Sequence, residues 1–111
     1  MTDRGIAEIE PVVVFRAIGN RRRGRILAAL RDGQRTTPQI ANRVGLRVDN
    51  VIIILRELRD LGLVERIGHP ARGRPGVHRL IRPAFGAAID WLVNLGDTTR
   101  DASWNHNAGG R

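Results

Sequence analysis

The period of the apolar residues changes at Gly62, and that change limits the folds open to the chain. Before it, Val51, Ile54, Leu55, Leu58 and Leu61 recur at the spacing that lines one face of a helix. After it come two short β-type runs, Leu63–Ile67 and Val77–Ile81. The stretch between them, residues 68–76, is rich in Gly and Pro and free of acids, which predicts a hairpin with a long loop. Pro83 then opens a last helix to Leu95, with Phe85, Ala88, Ile89, Leu92 and Leu95 at helical spacing. The β-branched run from Val51 to Ile54 would by itself suit a strand, but Leu55 to Leu61 is helical in period. A helix over about 48–61 is therefore expected, closed by Gly62.

Upstream, Ile6, Ile9, Val13, Val14 and Ala17 predict a helix of about two turns from Pro11. Asn20 suits the N-cap of a second helix, Arg21 to Arg31, with Ile26, Leu27 and Leu30 on its apolar face and Asp32-Gly33 at its end. Thr37-Pro38 reads as an N-cap followed by the first helical residue, opening a short helix to Val44 that Gly45 turns sharply out of. Ile40, Ala41, Val44, Leu46, Val51 and Leu55 are core positions. The expected class is mainly α with a small β-hairpin. Its boundaries are an N-terminal arm (1–10), one domain (11–95, with a wing at about 63–81) and a polar, disordered tail (96–111).

The 111 residues carry a formal +8, and all 19 basic residues are arginine. There is no cysteine, which excludes disulfides, thiolate metal sites and cysteine catalysis. No apolar run approaches the ~20 residues of a membrane span, and Asp3, Glu8 and Glu10 stand where a signal peptide would be basic. A soluble, cytoplasmic domain without a membrane partner follows. The charge is unevenly placed: residues 15–35 hold seven arginines against Asp32, and 66–82 hold five against no acid. Residues 36–65 are neutral. Guanidinium suits phosphate and base edges, so nucleic acid is the first partner to expect. Catalysis has no residues to support it, since His69, His78 and His106 are widely spaced and lack a nucleophile or paired carboxylates.

Helix, helix, short helix, glycine turn, helix, hairpin, helix is the order of a winged helix-turn-helix, and residues about 12–95 resemble the ArsR-type transcriptional regulators. The resemblance rests on Phe15–Asn20, Arg25–Leu30, Thr37–Leu46 and, above all, Leu55-x-x-Leu58-Arg59-Asp60-Leu61-Gly62-Leu63-Val64. It implies a homodimer that places two recognition helices in successive major grooves with wings flanking them. Dimerisation through the terminal helices would use Val13, Val14, Phe85, Ile89, Trp91 and Leu92. The metal sites of such regulators need Cys or His/Asp clusters on those helices. The last helix offers only Asp90, so no metal effector and no cofactor is expected.

In such a motif the N-terminus of the short helix lies over phosphate, with Thr37 and Gln39 adding hydroxyl and amide donors. The solvent side of the recognition helix should hold Arg47, Val48, Asp49, Asn50, Ile52, Ile53 and Arg56. Either Asp49 or Asn50 would cap it, starting the helix about two residues late. Asn50 can read adenine and Arg56 phosphate, while Ile52 and Ile53 offer only apolar contact, as to thymine methyls. Arg72-Gly73-Arg74-Pro75 is similar to the core of AT-hooks and of many regulator wings, which implies Arg72 and Arg74 in a narrow minor groove. Arg66 and Arg79, on the strands, suit phosphate contacts or salt bridges. The Arg21–Arg25 cluster opposes its helix dipole and calls for a compensating acid or phosphate, at an end expected to lie away from the DNA. A double-stranded-DNA regulator is the first reading. The second is an interaction module in which Ile52 and Ile53 bind a protein, or the arginines bind RNA.

Overall fold

The computed structural model describes residues 9–68 and 76–96. Arg72 and Arg74, the tail expected to be disordered save Gly96, which ends the last helix, and most of the N-terminal arm lie outside the described residues. Helix α1 (Pro11–Gly19) begins on its proline and buries Val14 and Ala17. Helix α2 (Arg21–Ala29) is capped as expected: the Asn20 side-chain oxygen accepts from the Arg23 amide at 3.0 Å. It ends two residues before Arg31, because the Leu30 and Arg31 amides turn back to the carbonyls of Leu27 and Ala28 and tighten the last turn.

These two helices approach at Gly24. A Cβ there would lie 2.8 Å from the Ile18 carbonyl oxygen, a backbone atom with nowhere to move. Alanine would favour the helix by ~1 kcal/mol, but forced overlap in a packed site costs ~1–3 kcal/mol. Gly24→Ala is expected to destabilise the fold by up to about 2 kcal/mol, read from urea midpoints; a raised midpoint refutes the close approach.

A short strand, β1 (Arg35–Thr36), leads directly into α3 (Thr37–Val44). The N-cap of α3 is Thr36, where the sequence pattern had pointed to Thr37. The extended backbone that β1 imposes on Thr36 is the conformation a cap needs, and a capping box forms around it. Thr36 Oγ1 accepts from the Gln39 amide at 3.3 Å, and Gln39 Oε1 accepts from the Thr36 amide at 2.8 Å. Gly45, at φ 71°, turns the chain out of α3, as expected. Helix α4 (Val48–Asp60) starts at Val48 rather than two residues later. Its N-cap is Arg47 and no side chain caps it; Asp49 sits in the first turn.

Strands β2 (Val64–Ile67) and β3 (Val77–Leu80) pair antiparallel, with Glu65 opposite Arg79 and Arg66 opposite His78. The hairpin was legible in sequence; the third strand was not. β1 pairs with the other edge of β3, giving the order β1-β3-β2. The last helix is divided where one continuous helix from Pro83 was expected: Arg82–Phe85 form a 3₁₀ turn and α5 runs Gly86–Gly96. The core lies where α2, α3, α4 and the sheet meet, with Ile26, Leu30, Ile40, Leu55, Leu58 and Leu63 fully buried. Among the described residues, no helix is long and apolar enough to cross a membrane.

Candidate nucleic-acid interface

The rotation of α4 divides its apolar run. Val51, Ile54, Leu55 and Leu58 face the core, while Ile52 (43% exposed) and Ile53 (53%) stand outward beside exposed Val48, Asp49 and Arg56. Residues one apart lie about 100° apart around a helix, so a run of isoleucines must serve both faces. Asn50 is half-buried. Arg47 approaches Asp49 at 3.5 Å, but both side chains are largely exposed, so solvent weakens the pair. Arg47, Val48, Ile53 and Arg56 are thus accessible, as expected.

The N-terminus of α3 differs from expectation in a way that matters for phosphate. The Thr37 amide donates to the Gly76 carbonyl at 3.3 Å, Pro38 has no N–H, and the Gln39 amide is held by the cap. The amide donors at 37 and 39 are therefore engaged within the protein. The Thr37 hydroxyl also turns inward, 3.0 Å from His78 Nε2. Thr37 is a structural link rather than a free donor; the outward side-chain amide of Gln39 is what this end of α3 still offers.

His78 is the buried polar residue that sequence reasoning did not single out. It is 4% exposed, and burial, followed by the charges of Arg59 and Arg66, lowers its pKa to about 4. Its Nδ1 has no hydrogen-bond partner among the described residues. The alternation of the strand is the signal that would have placed it inside: Leu80, two residues on, packs against the core, while exposed Arg79 points outward. On the same sheet Arg79 pairs with Glu65 across the strands, the salt bridge its position suggested.

Two members of the Arg21–Arg25 cluster, Arg22 and Arg23, lie beside α4. Asn20, Arg22 and Arg23 flank a shallow depression whose other side is Asn50, Ile53 and Glu57. Arg23 Nε donates to Glu57 Oε1 at 3.2 Å, which supplies one of the acids this helix end requires. The opposite end of the segment is anchored internally. Arg35 Nε donates to the Ala29 carbonyl at 2.7 Å, and Arg31 pairs with Asp32 at 3.5 Å. The sequence shows no sign of the Arg23–Glu57 contact, because the two residues are 34 positions apart.

The residues assigned to self-association divide. Val14 is 2% exposed and belongs to the core of its own chain, because α1 turns it onto the helices beneath; it is not surface. Val13 is half-buried, and Phe85 packs against the core. Ile89, Trp91, Leu92 and Val93 are about half exposed, and Leu95 is more exposed still. Ala88 is the buried residue of α5, and the edge of Trp91 rests on Phe15 with centroids 5.5 Å apart. Among the described residues no group of three His, Cys, Asp or Glu side chains is placed to hold a metal ion.

No protein-family model matches the sequence, and the curated proteins contain no match. Solved structures do match. The chain is 27% identical to the homodimeric winged helix-turn-helix DNA-binding domain Mb0332 of Mycobacterium bovis, described as a possible ArsR-family transcriptional regulator (TM-score 0.56, 86% of this chain and 82% of that one). It is 26% identical to HlyU of Vibrio cholerae (TM-score 0.57, 78% and 87%). An ArsR family transcriptional regulator superposes with a TM-score of 0.65 over 83% and 99% of the two chains, a likeness of fold at 19% identity. The fold is an ArsR-like winged helix-turn-helix, as the sequence resemblance implied.

Proposed function

We propose that this chain is a cytoplasmic transcriptional regulator that binds double-stranded DNA as a homodimer, without a metal effector. The observation that carries the reading is α4, an outward helix in an ArsR-like scaffold with arginines on both flanks. The M. bovis neighbour, a homodimeric DNA-binding domain by description, supports both parts of it. α4 enters the major groove, with Ile52 and Ile53 against thymine methyls, Asn50 toward adenine, and Arg47 and Arg56 on phosphates. Arg22, beside that helix, extends the backbone contacts. Arg72 and Arg74, in the segment joining β2 to β3, enter the flanking minor groove, where A·T tracts concentrate negative potential. With few base-reading side chains, affinity comes mostly from phosphate neutralisation and falls steeply with salt.

A gel shift on AT-flanked duplexes tests this. Arg72→Ala with Arg74→Ala is expected to weaken binding tenfold or more, about 1.4 kcal/mol, while unchanged titration curves would remove the wing from the interface. No retardation of any duplex at low salt would refute DNA binding. The exposure of Ile52 and Ile53 on a helix without net positive charge favours a second reading, a protein-interaction module. Ile53→Arg separates the two, since it should preserve or strengthen DNA binding but abolish an apolar protein contact.

A further inference from the structure

On the flank of α4 opposite Arg22, a cleft of about 340 Å³ opens between the helix, the start of α3 and the base of the hairpin. Pro38, Val48, Ile52 and Leu55 give it apolar walls. Arg59, from the far end of α4, and Arg66, from β2, give it charge. Neither arginine has an acidic partner among the described residues, and no carboxylate among those residues lines the cleft. The Arg66 guanidinium lies over Gly76, where a Cβ would come within 2.8 Å of Nε, so the absence of a side chain at 76 leaves it room. Buried His78 closes the inner side, linked to Thr37.

We propose that this cleft is a binding site for a small organic carboxylate with a flat apolar body, its carboxylate on Arg59 and Arg66 and its body between Pro38, Val48 and Ile52. The size lies at the lower end of the ~300–1,000 Å³ of small-molecule sites, which selects a small ligand. A cation would meet only positive charge, and a neutral ligand would leave the guanidiniums covered and unpaired. A carboxylate matches guanidinium geometry and strengthens as water leaves. A compact inorganic anion would leave the apolar walls unused. An occupant at the junction of α4 and the hairpin also occupies space that DNA docking needs, so it would act as an effector; that coupling rests on the function proposed above.

Ring resonances of His78 report on the site. The charged groups of the elements around it are Arg59 from α4, Arg66 from β2 and Arg35 from β1, whose guanidinium is turned to the Ala29 carbonyl; α3 presents the Thr37 hydroxyl. A bound carboxylate offsets Arg59 and Arg66 and so raises the His78 pKa from about 4.

The full chain is titrated by NMR with benzoate, with benzyl alcohol (the ring without the charge) and with inorganic phosphate (the charge without the ring). Benzoate is expected to saturate at ~1–10 mM, a fair affinity for so few atoms. It should raise the His78 pKa and bind about tenfold more weakly to Arg66→Gln, a change at an exposed strand position that leaves the core untouched. Benzyl alcohol and phosphate should each bind at least tenfold more weakly than benzoate. Absence of saturable benzoate shifts at His78, equal binding of either control, or indifference to Arg66→Gln overturns the proposal. Benzoate should also release duplex DNA from the wild-type chain. A chain that binds benzoate but no duplex refutes the DNA reading and leaves the ligand site standing; one that binds duplex but not benzoate does the reverse.

Discussion

Replacing Trp91 and Leu92 together by glutamate is expected to yield a folded chain that no longer self-associates and binds duplex DNA at least a hundredfold more weakly. Helix α5 buries Ala88 and leaves Ile89, Trp91 (50% exposed), Leu92 (51%), Val93 and Leu95 open. A helix apolar around most of its circumference is stable in water only when something covers it. In the proposed homodimer that cover is the second copy. Two carboxylates placed in such an interface each lose hydration without gaining a partner, at a cost of several kcal/mol. Half-exposed positions contribute less to the single chain, where the Trp91–Phe15 pair adds only ~0.5–1.5 kcal/mol. The DNA effect follows from linkage: once one half binds, the other acts at an effective concentration set by the dimer, and a monomer forfeits that gain. Sedimentation equilibrium and a gel shift measure the two parts. A double variant with wild-type mass and affinity would show that α5 is not the surface of self-association.

The second large effect is on acid stability. His78 fits its site in the neutral form, with a folded pKa of about 4 against 6.5 for the free side chain. Between those values the unfolded chain takes up a proton that the folded chain refuses, so unfolding gains as pH falls. The stabilisation is complete above pH 6.5 and is lost on the way down to pH 4. The difference amounts to about 3 kcal/mol. Urea unfolding at pH 7, 6, 5 and 4 should show this loss, and His78→Gln, which can keep a hydrogen bond to Thr37, should reduce it by that amount. The subtraction isolates His78, because the carboxylates titrate in both proteins alike. Parallel loss in the two proteins would mean that His78 remains hydrated and ionises normally.

What the sequence made legible was local. Apolar spacing located α1, α2, α4 and α5, the Thr-Pro start signal and Gly45 located α3, Asn20 and Gly45 had the capping and turning roles that their chemistry suggests, and the break at Gly62 marked the passage from α4 to the hairpin. What it hid depends on residues distant along the chain. Two residues of β1 carry no periodicity of their own and become a strand only because β3 offers an open edge. That pairing moves the α3 cap back to Thr36, and the displaced Thr37 hydroxyl then meets a histidine 41 positions away. Val14 looked like any outward valine of α1 until the helices beneath it were in place. The position of Arg22 and Arg23 beside α4 depends on how closely α1 and α2 pass, which Gly24 permits; a glycine inside a helical pattern was the available sign of it.

The central place of β3 has a consequence for how the molecule opens. One edge of β3 holds β2, the other holds the residues that lead into α3, and the Gly76 carbonyl just before it binds the Thr37 amide. The hairpin and the reading motif therefore cannot fray separately: pulling the base of the hairpin away breaks the first hydrogen bonds of α3. In amide exchange they form one cooperative unit, with the protons of Thr36, Thr37 and Gln39 released together with those of β3, while α5, which buries little, exchanges on its own and sooner.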